Sequence, residues 1–335
     1  MNYKESSLIL KEIKKADKIL INCHRGPDSD SVGSALALSG VLKNLGKEVA
    51  VICPSDLPSD LMFLKGANEV IRVNFTSFDF SEYDLFVILD SSTYSMVTGL
   101  KDSDKPGINS VVIDHHISNE KFGNINLIDA KTTSTGELLY KVFEDWKIDF
   151  DKFVAESLLT GIIGDTGTFQ YQNVGKETLR IAADLIEKGA DKDKIVYNLY
   201  RNIEFREVKM WGKFIESMMI EDRFVWSAVP LSVYKDFGEY TYAKEDVANL
   251  FSPIVKGTEF GIIMIETSEN ILSVSFRSRT GFDVSKVANE VGGGGHKAAA
   301  GARIEGLPFQ EAVNKVLTVA RKYVHLQKIF WSQSV

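Results

Sequence analysis

From residue 18 onward, short apolar runs rich in β-branched residues alternate with stretches of helical periodicity. Residues 19–23, 49–53, 70–73, 85–89 and 111–113 are apolar at nearly every position, the pattern of strands covered on both faces. Residues 31–45 place Val32, Leu36, Leu38, Val41 and Leu42 along a helix and stop at Gly46, so a helix is predicted directly after the first strand. Strand and helix in this rhythm predict a mainly parallel α/β sheet. Residues 138–146, 153–163, 178–189 and 195–200 form a helical block, and 204–220 reads as a longer helix crossing to a second unit. Beyond it, 224–230, 260–266 and 271–277 read as strands and 284–291 as a helix. The run GGGGH, one more strand and a closing helix from Phe309 complete a smaller, mixed α/β domain. The expected division is 1–190 for the parallel-sheet domain, 191–222 for linking helices and 223–335 for the second domain.

A length of 335 residues is enough for two cores without cross-links. The balance of 39 Lys+Arg against 46 Asp+Glu, a formal −7, disfavours holding long DNA or RNA by a broad basic field. No apolar run reaches the roughly 18 residues of a membrane span, and the start MNYKESSLILKEIKK lacks the apolar core of a signal peptide. Cys23 and Cys53 are the only cysteines, so a reducing cytoplasm is expected rather than a disulfide framework.

In an open α/β sheet the carboxyl ends of the strands face one crevice, so polar residues there are the first candidates for chemistry. The first strand runs into His24, Asp28 and Asp30. The strand 85–89 ends in Asp90, and the strand 111–113 in Asp114, His115 and His116. Asp165 lies in GIIGDTGTF, where an apolar helix meets a glycine-bracketed turn. Singly, each has a plain structural role: Asp after a strand caps a helix, and Asp beside glycine forms turns. Gathered in one crevice, four carboxylates repel one another, and two divalent cations would cancel their charge. Mixed carboxylate and imidazole donors suit Mn²⁺, with Co²⁺ or Mg²⁺ as substitutes, and no thiol cluster is present to select structural zinc. Paired ions about 3.5–4 Å apart activate water for in-line attack at phosphorus, which points to phosphoester hydrolysis.

The set HRGPDSD at 24–30, Asp90 in DSS, DHH at 114–116, Asp165 in GDTG and GGGGHKAAAGA at 292–302 resembles the DHH/DHHA1 phosphoesterase family over nearly the whole chain. The first motif is complete as His24, Pro27, Asp28, Asp30, Gly33 and Ser34. The resemblance implies one metal held by His24, Asp28 and Asp90 and a second held by Asp30, Asp90, His115 and Asp165, with Asp90 bridging. It leaves His116 to meet the phosphate or protonate the leaving oxygen, and Asp114 to orient a histidine.

The glycines at 292–295 match a dinucleotide fingerprint by letter, but they follow a helix and precede a strand, the reverse of the required context. The resemblance implies instead that Gly293, Gly294, Gly295 and His296, with Arg277 and Ser278 and less directly Arg279, grip a nucleotide across an interdomain cleft. Arginine suits this, since its planar fork pairs with phosphate or stacks on a base. No added single-strand-binding module is seen, which favours very short substrates. The expected activity is Mn²⁺-dependent cleavage of dinucleotides such as pApA or pGpG and of nanoRNA to mononucleotides, with cyclic di-AMP as a further substrate. A 3′,5′-bisphosphate nucleotide (pAp) phosphatase is the alternative of the same class, and a non-catalytic nucleotide sensor is one of another class. The resemblance also makes a homodimer plausible.

Overall fold

The structure, a computed structural model, describes residues 2–101, 103–237, 243–295 and 297–332. It divides into two units, Met1–Asn202 and Ile203–Val335. The first unit begins with α1 (Lys4–Lys15), β1 (Lys18–Asn22), α2 (Ser29–Asn44), β2 (Glu48–Cys53), β3 (Ile71–Arg72) and β4 (Leu85–Leu89). It continues through α3 (Tyr94–Thr98), β5 (Asn109–Asp114), β6 (Ile125–Ile128), α4 (Thr135–Trp146), α5 (Lys152–Asp165), α6 (Lys176–Glu187) and α7 (Lys192–Tyr200).

Its six strands are all parallel, in the order β3-β2-β1-β4-β5-β6. Ile19 of β1 pairs with Val49 of β2 on one side and Leu85 of β4 on the other. The chain therefore builds outward from β1 to β3, then returns to β1 and builds the other way. A crevice opens at the carboxyl ends where the direction reverses, between β1 and β4. Beside it lies α2, apolar on all sides: Val32, Ala35, Leu36, Ala37, Leu38, Val41 and Leu42 are all buried. Gly33 lets α2 touch α5, since a Cβ there would lie 2.4 Å from the Ser157 carbonyl oxygen. Three elements of this unit go beyond the sequence reading: α3, a helix of five residues, and two others. Helix α1 buries only Ser6, Ile9 and Ile13, and β6 fully buries only Leu127, so neither carries the continuous apolar run of an interior element.

The second unit contains α8 (Phe205–Glu216), β7 (Met219–Glu221), β8 (Phe224–Val229), α9 (Leu231–Phe237), α10 (Ala243–Leu250), β9 (Phe260–Ser268) and β10 (Ile271–Ser278). It closes with α11 (Val284–Glu290), β11 (Gly294–Gly295), β12 (Ala299–Glu305) and α12 (Phe309–Ser332). The sheet order is β11-β12-β10-β9-β8-β7, with β8 and β9 parallel and the other neighbours antiparallel. The stretch 191–222 divides between the two units: Ile195 of α7 joins the core of the first, while Met210 and Phe214 of α8 pack with Val229, Val247 and Ile263 in the second. No helix among the described residues is long and apolar enough to cross a membrane.

Candidate metal centre

The crevice gathers every acid and histidine that the first three strand ends offered. His24 follows β1 and is buried, its Nδ1 3.0 Å from the Arg25 carbonyl oxygen. In the neutral ring a proton on Nδ1 makes that bond and leaves the lone pair on Nε2, which faces Asp28 Oδ1 at 3.6 Å and Asp90 Oδ2 at 3.5 Å. Asp28 also serves the plainer role foreseen for it. It caps α2, accepting from the backbone N–H groups of Asp30 and Ser31.

Asp90 follows β4 in left-handed backbone, φ 50°, which a non-glycine residue adopts at a cost and keeps only where its surroundings fix it. Its Oδ1 accepts from Thr135 Oγ1 at 3.0 Å and lies 3.6 Å from His115 Nε2, while its Oδ2 faces His24. One carboxylate thus turns its two oxygens to two different histidines. Asp30 is fully buried. Its Oδ2 accepts from Thr135 N at 2.6 Å, and its Oδ1 from Gly136 N at 2.9 Å and Ser34 Oγ at 3.2 Å, so it sits on the N-terminus of α4. Gly161 makes room for it, since a Cβ at that position would lie 2.5 Å from Asp30 Oδ1. Asp165, the last residue of α5, brings Oδ2 to 3.2 Å from His115 Nε2.

Asp114 is fully buried and lies at the centre of a set of donors. Its Oδ1 accepts from His115 N at 2.8 Å and lies 2.6 Å from His116 Nδ1, and its Oδ2 accepts from Asn119 Nδ2 at 2.6 Å. That grip fixes the His116 ring, which meets the His115 ring edge-on at 4.4 Å.

Donor atoms of His24, Asp28 and Asp90 converge within 4.8 Å, as do those of Asp30, His115 and Asp165, and those of Asp90, Asp114, His115 and His116. The donor set suits divalent cations, and one atom tests the fit directly. His115 Nε2 is buried and makes no hydrogen bond in spite of the nearby Asp165 and Asp90 oxygens. A ring nitrogen left so among carboxylates is placed as a ligand atom.

The charges strain one another as the residue types predict. Burial, joined by repulsion from Asp90 and Asp165, pushes the Asp30 carboxyl well up. Burial outweighs the pull of His115 and pushes Asp165 up to about 6. Burial acts in the same sense on Asp90, but His24, His116 and His115 together hold it well below the usual carboxylate range. Burial works to lower His24 and His115, and the carboxylates around them win and raise both.

The second unit carries the remaining candidates. Arg277 Nε donates to Asn249 Oδ1 at 2.5 Å, and Ser278 Oγ accepts from Gly281 N at 3.1 Å. Arg279 is held by the Thr258 carbonyl at 3.1 Å. The glycine run is in part an edge strand rather than only a loop: Gly294 and Gly295 pair with Gly301 and Ala300 of β12. Close backbone approach explains two of these glycines, since a Cβ on Gly293 would lie 2.1 Å from the Gly301 carbonyl oxygen and one on Gly295 2.5 Å from Ala300 Cα. Gly294 is exposed, and a Cβ there would make ordinary contact with Asn289 Oδ1 at 3.6 Å. His296 lies outside the described residues. Sequence reasoning missed Thr135, Gly136 and Gly161, whose backbone and missing side chains hold Asp30. Their only signal was the pair of glycines in otherwise helical stretches.

Comparison with known proteins identifies the family of both domains. The DHH family, N-terminal domain, matches residues 18–162, and the DHHA1 domain matches 242–326. The bifunctional oligoribonuclease and PAP phosphatase NrnA of Thermus thermophilus is 30% identical over 96% of this chain and 95% of its own. The cyclic-di-AMP phosphodiesterase PdeA of Listeria monocytogenes is 24% identical over 93% of this chain, which spans 48% of that protein. The crystal structure of an exopolyphosphatase-related protein from Bacteroides fragilis superposes with a TM-score of 0.89 at 26% identity, over 97% of both chains. With both domains matched in order and a relative aligned from end to end, this chain belongs to the DHH/DHHA1 family of phosphoester hydrolases.

Proposed function

We propose that this protein is a Mn²⁺-dependent phosphodiesterase that cleaves dinucleotides such as pApA and pGpG, and very short RNA, to mononucleotides, with cyclic di-AMP as a further substrate. The observation that carries the reading is Asp90, whose Oδ2 faces His24 and whose Oδ1 faces His115. A carboxylate so placed joins two donor sets into one dinuclear centre. In this reading His24, Asp28 and Asp90 hold one ion, and Asp30, Asp90, His115 and Asp165 hold the other. Such a pair, when bound, supplies positive charge that makes water nucleophilic near neutral pH and stabilises the attacked phosphate. The chain's own residues do the rest. Asp114 holds the His116 ring through Nδ1, so that Nε2 is the atom that meets the phosphate or hands a proton to the leaving oxygen. Thr135 Oγ1 and the backbone of Thr135 and Gly136 fix the carboxylates of Asp90 and Asp30 against rotation.

Residues 1–190 carry the chemistry in this proposal and 223–335 the substrate grip, through Arg277, Ser278, Gly293 to Gly295 and His296, with 191–222 joining them. The two free, buried cysteines support placing the protein in the cytoplasm. A second reading, a pAp phosphatase, is favoured by the paired activities named for the Thermus relative. Mn²⁺-loaded protein assayed on pApA, pGpG, cyclic di-AMP, pAp and a long single strand ranks these readings. Preferred turnover of the long strand would overturn the short-substrate proposal. Asp90→Asn should abolish hydrolysis of all of them; an unchanged rate would refute the assignment of Asp90, and no turnover of any of them by the parent would favour the nucleotide sensor.

A further inference from the structure

The segment that follows Asp165 does more than end a helix. Gly167, Thr168 and Phe169 are successive left-handed residues, with φ of 55°, 58° and 64°. A β-branched and an aromatic residue rarely adopt that conformation, and they keep it only where the surroundings over-determine it. Here Thr166, fully buried, does so. Its Oγ1 accepts from Phe169 N at 3.0 Å, and its carbonyl accepts from Gln170 N at 2.9 Å and Tyr171 N at 3.1 Å. The Ile163 carbonyl accepts from Thr168 N at 2.8 Å, and the Thr168 side chain pairs with Tyr200 of α7.

This backbone turns Phe169 inward onto the core and leaves Tyr171 50% exposed. The Tyr171 ring lies against Gly167, two residues past Asp165; a Cβ there would be 2.6 Å from Tyr171 Cε1. The missing side chain of Gly167 is therefore what lets the ring settle against the turn that directly follows Asp165. Gln170, Gln172 and Asn173 around it are exposed, and the whole stretch TGTFQYQNVG at 166–175 carries no charged side chain. An uncharged rim holding an aromatic ring and side-chain amides does not suit phosphate. It suits a neutral planar group with donors and acceptors on its edge, which is a nucleobase.

We infer that Tyr171 is the stacking platform for one base of the substrate, with its strained turn serving to fix the ring against the segment that follows Asp165. The inference rests on the phosphodiesterase reading above and adds a specificity residue to it. Stacking of this kind is lost on truncation to alanine and kept in phenylalanine. Tyr171→Ala should raise KM for pApA by roughly 5- to 100-fold with kcat little changed, and Tyr171→Phe should stay near the parent. Two further substrates separate stacking from a structural role: pApA analogues in which one or the other adenosine is replaced by an abasic ribose. Against one of the two, Tyr171→Ala and the parent enzyme should behave alike. Equal losses on pApA and both abasic analogues, equal effects of the Ala and Phe variants, or no loss at all would each overturn the inference while leaving the phosphodiesterase intact. Failure of the parent protein to cleave any dinucleotide with Mn²⁺ would overturn both.

Discussion

Gly161→Ala tests the tightest feature of the centre because two effects of known size oppose each other there. In the interior of α5 the substitution favours the helix by about 1 kcal/mol through propensity alone. The added methyl, however, would sit 2.5 Å from Asp30 Oδ1, 3.2 Å from Asp30 Cα and 3.4 Å from its Cγ. That is roughly 1 Å inside the separation at which such atoms rest. Asp30 cannot swing aside cheaply, since its two oxygens accept from Thr135 N, Gly136 N and Ser34 Oγ in a fully buried site. Overpacking costs about 1–3 kcal/mol, and a buried donor left without its acceptor about as much again. After the propensity gain the net loss is about 1–5 kcal/mol. Calorimetric unfolding reads it, with Gly212→Ala in α8 as control: no atom lies within 4 Å of a Cβ there, so propensity alone should raise stability. Mn²⁺ at about 100 times its Kd should stabilise the parent by about 2.7 kcal/mol, and the variant by less, since a displaced Asp30 binds the ion poorly. Unfolding of Gly161→Ala at or above the parent temperature, with undiminished stabilisation by Mn²⁺, would refute the packing argument and the place of Asp30 in the centre.

Other perturbations follow from neighbouring contacts. Burial lowers the pKa of His116, but the hydrogen bond to Asp114 and the charge of Asp90 prevail and raise it, so its protonated form persists to higher pH. Asp114→Asn should therefore move the alkaline limb of the kcat profile to lower pH; an unmoved limb removes His116 as the titrating acid. Glu137 is buried and accepts from Thr133 N and Oγ1, Thr178 Oγ1 and Lys141 Nζ. Burial raises its pKa, but Lys141 and Thr133 outweigh that and leave it below 4.5, so its stabilising share is full above that value and lost as pH falls through the lowered one. Glu137→Gln should lower the free energy of unfolding in urea at neutral pH by about 1–3 kcal/mol, and its gap from the parent should narrow in acid. Burial, with Cys53, Asp28 and Asp90 nearby, pushes the Cys23 thiol up, and burial also pushes up Cys53; both should resist a thiol reagent in the native protein and react on unfolding.

The strands and helices that line the crevice were legible because they are apolar throughout, and period and length then suffice. The convergence of the motifs was legible only in part. His24, Asp90 and Asp114 stand at strand ends in any parallel sheet, but their meeting depends on β4 lying beside β1. Had β4 added next to β3 instead, Asp90 would lie three strand spacings from His24, about 14 Å away, and the cluster would not exist. Nothing local to residues 85–90 encodes that choice. The same holds for Asp30: its helix-capping letters are visible, whereas the N–H groups it accepts from belong to Thr135 and Gly136, more than a hundred residues on. Gly293 and Gly295 show the converse, since the letters that suggest a ligand cradle are also required by close approach to β12.

The charge pattern of the centre leads to a last prediction. Without cations, the carboxylates around His24 and His115 raise both imidazoles well above their ordinary value of 6.5, so each holds its second ring proton to higher pH than a free imidazole does. Asp165, pushed up to about 6, is partly protonated just below neutrality, and Asp30 is pushed up as well. The cluster thus favours retaining protons on side chains that the proposal assigns to metal. Ligand atoms must shed those protons before they bind, so Mn²⁺ binding must release protons. Titration calorimetry in buffers of different ionisation enthalpy counts them directly. Protons should leave as the sites fill, and the number should fall as pH rises. His115→Gln should reduce it by removing one donor. Release of no protons would mean that the imidazoles enter the complex already neutral or do not bind the ion, and would refute either the charge argument or the ligand set built on His24 and His115.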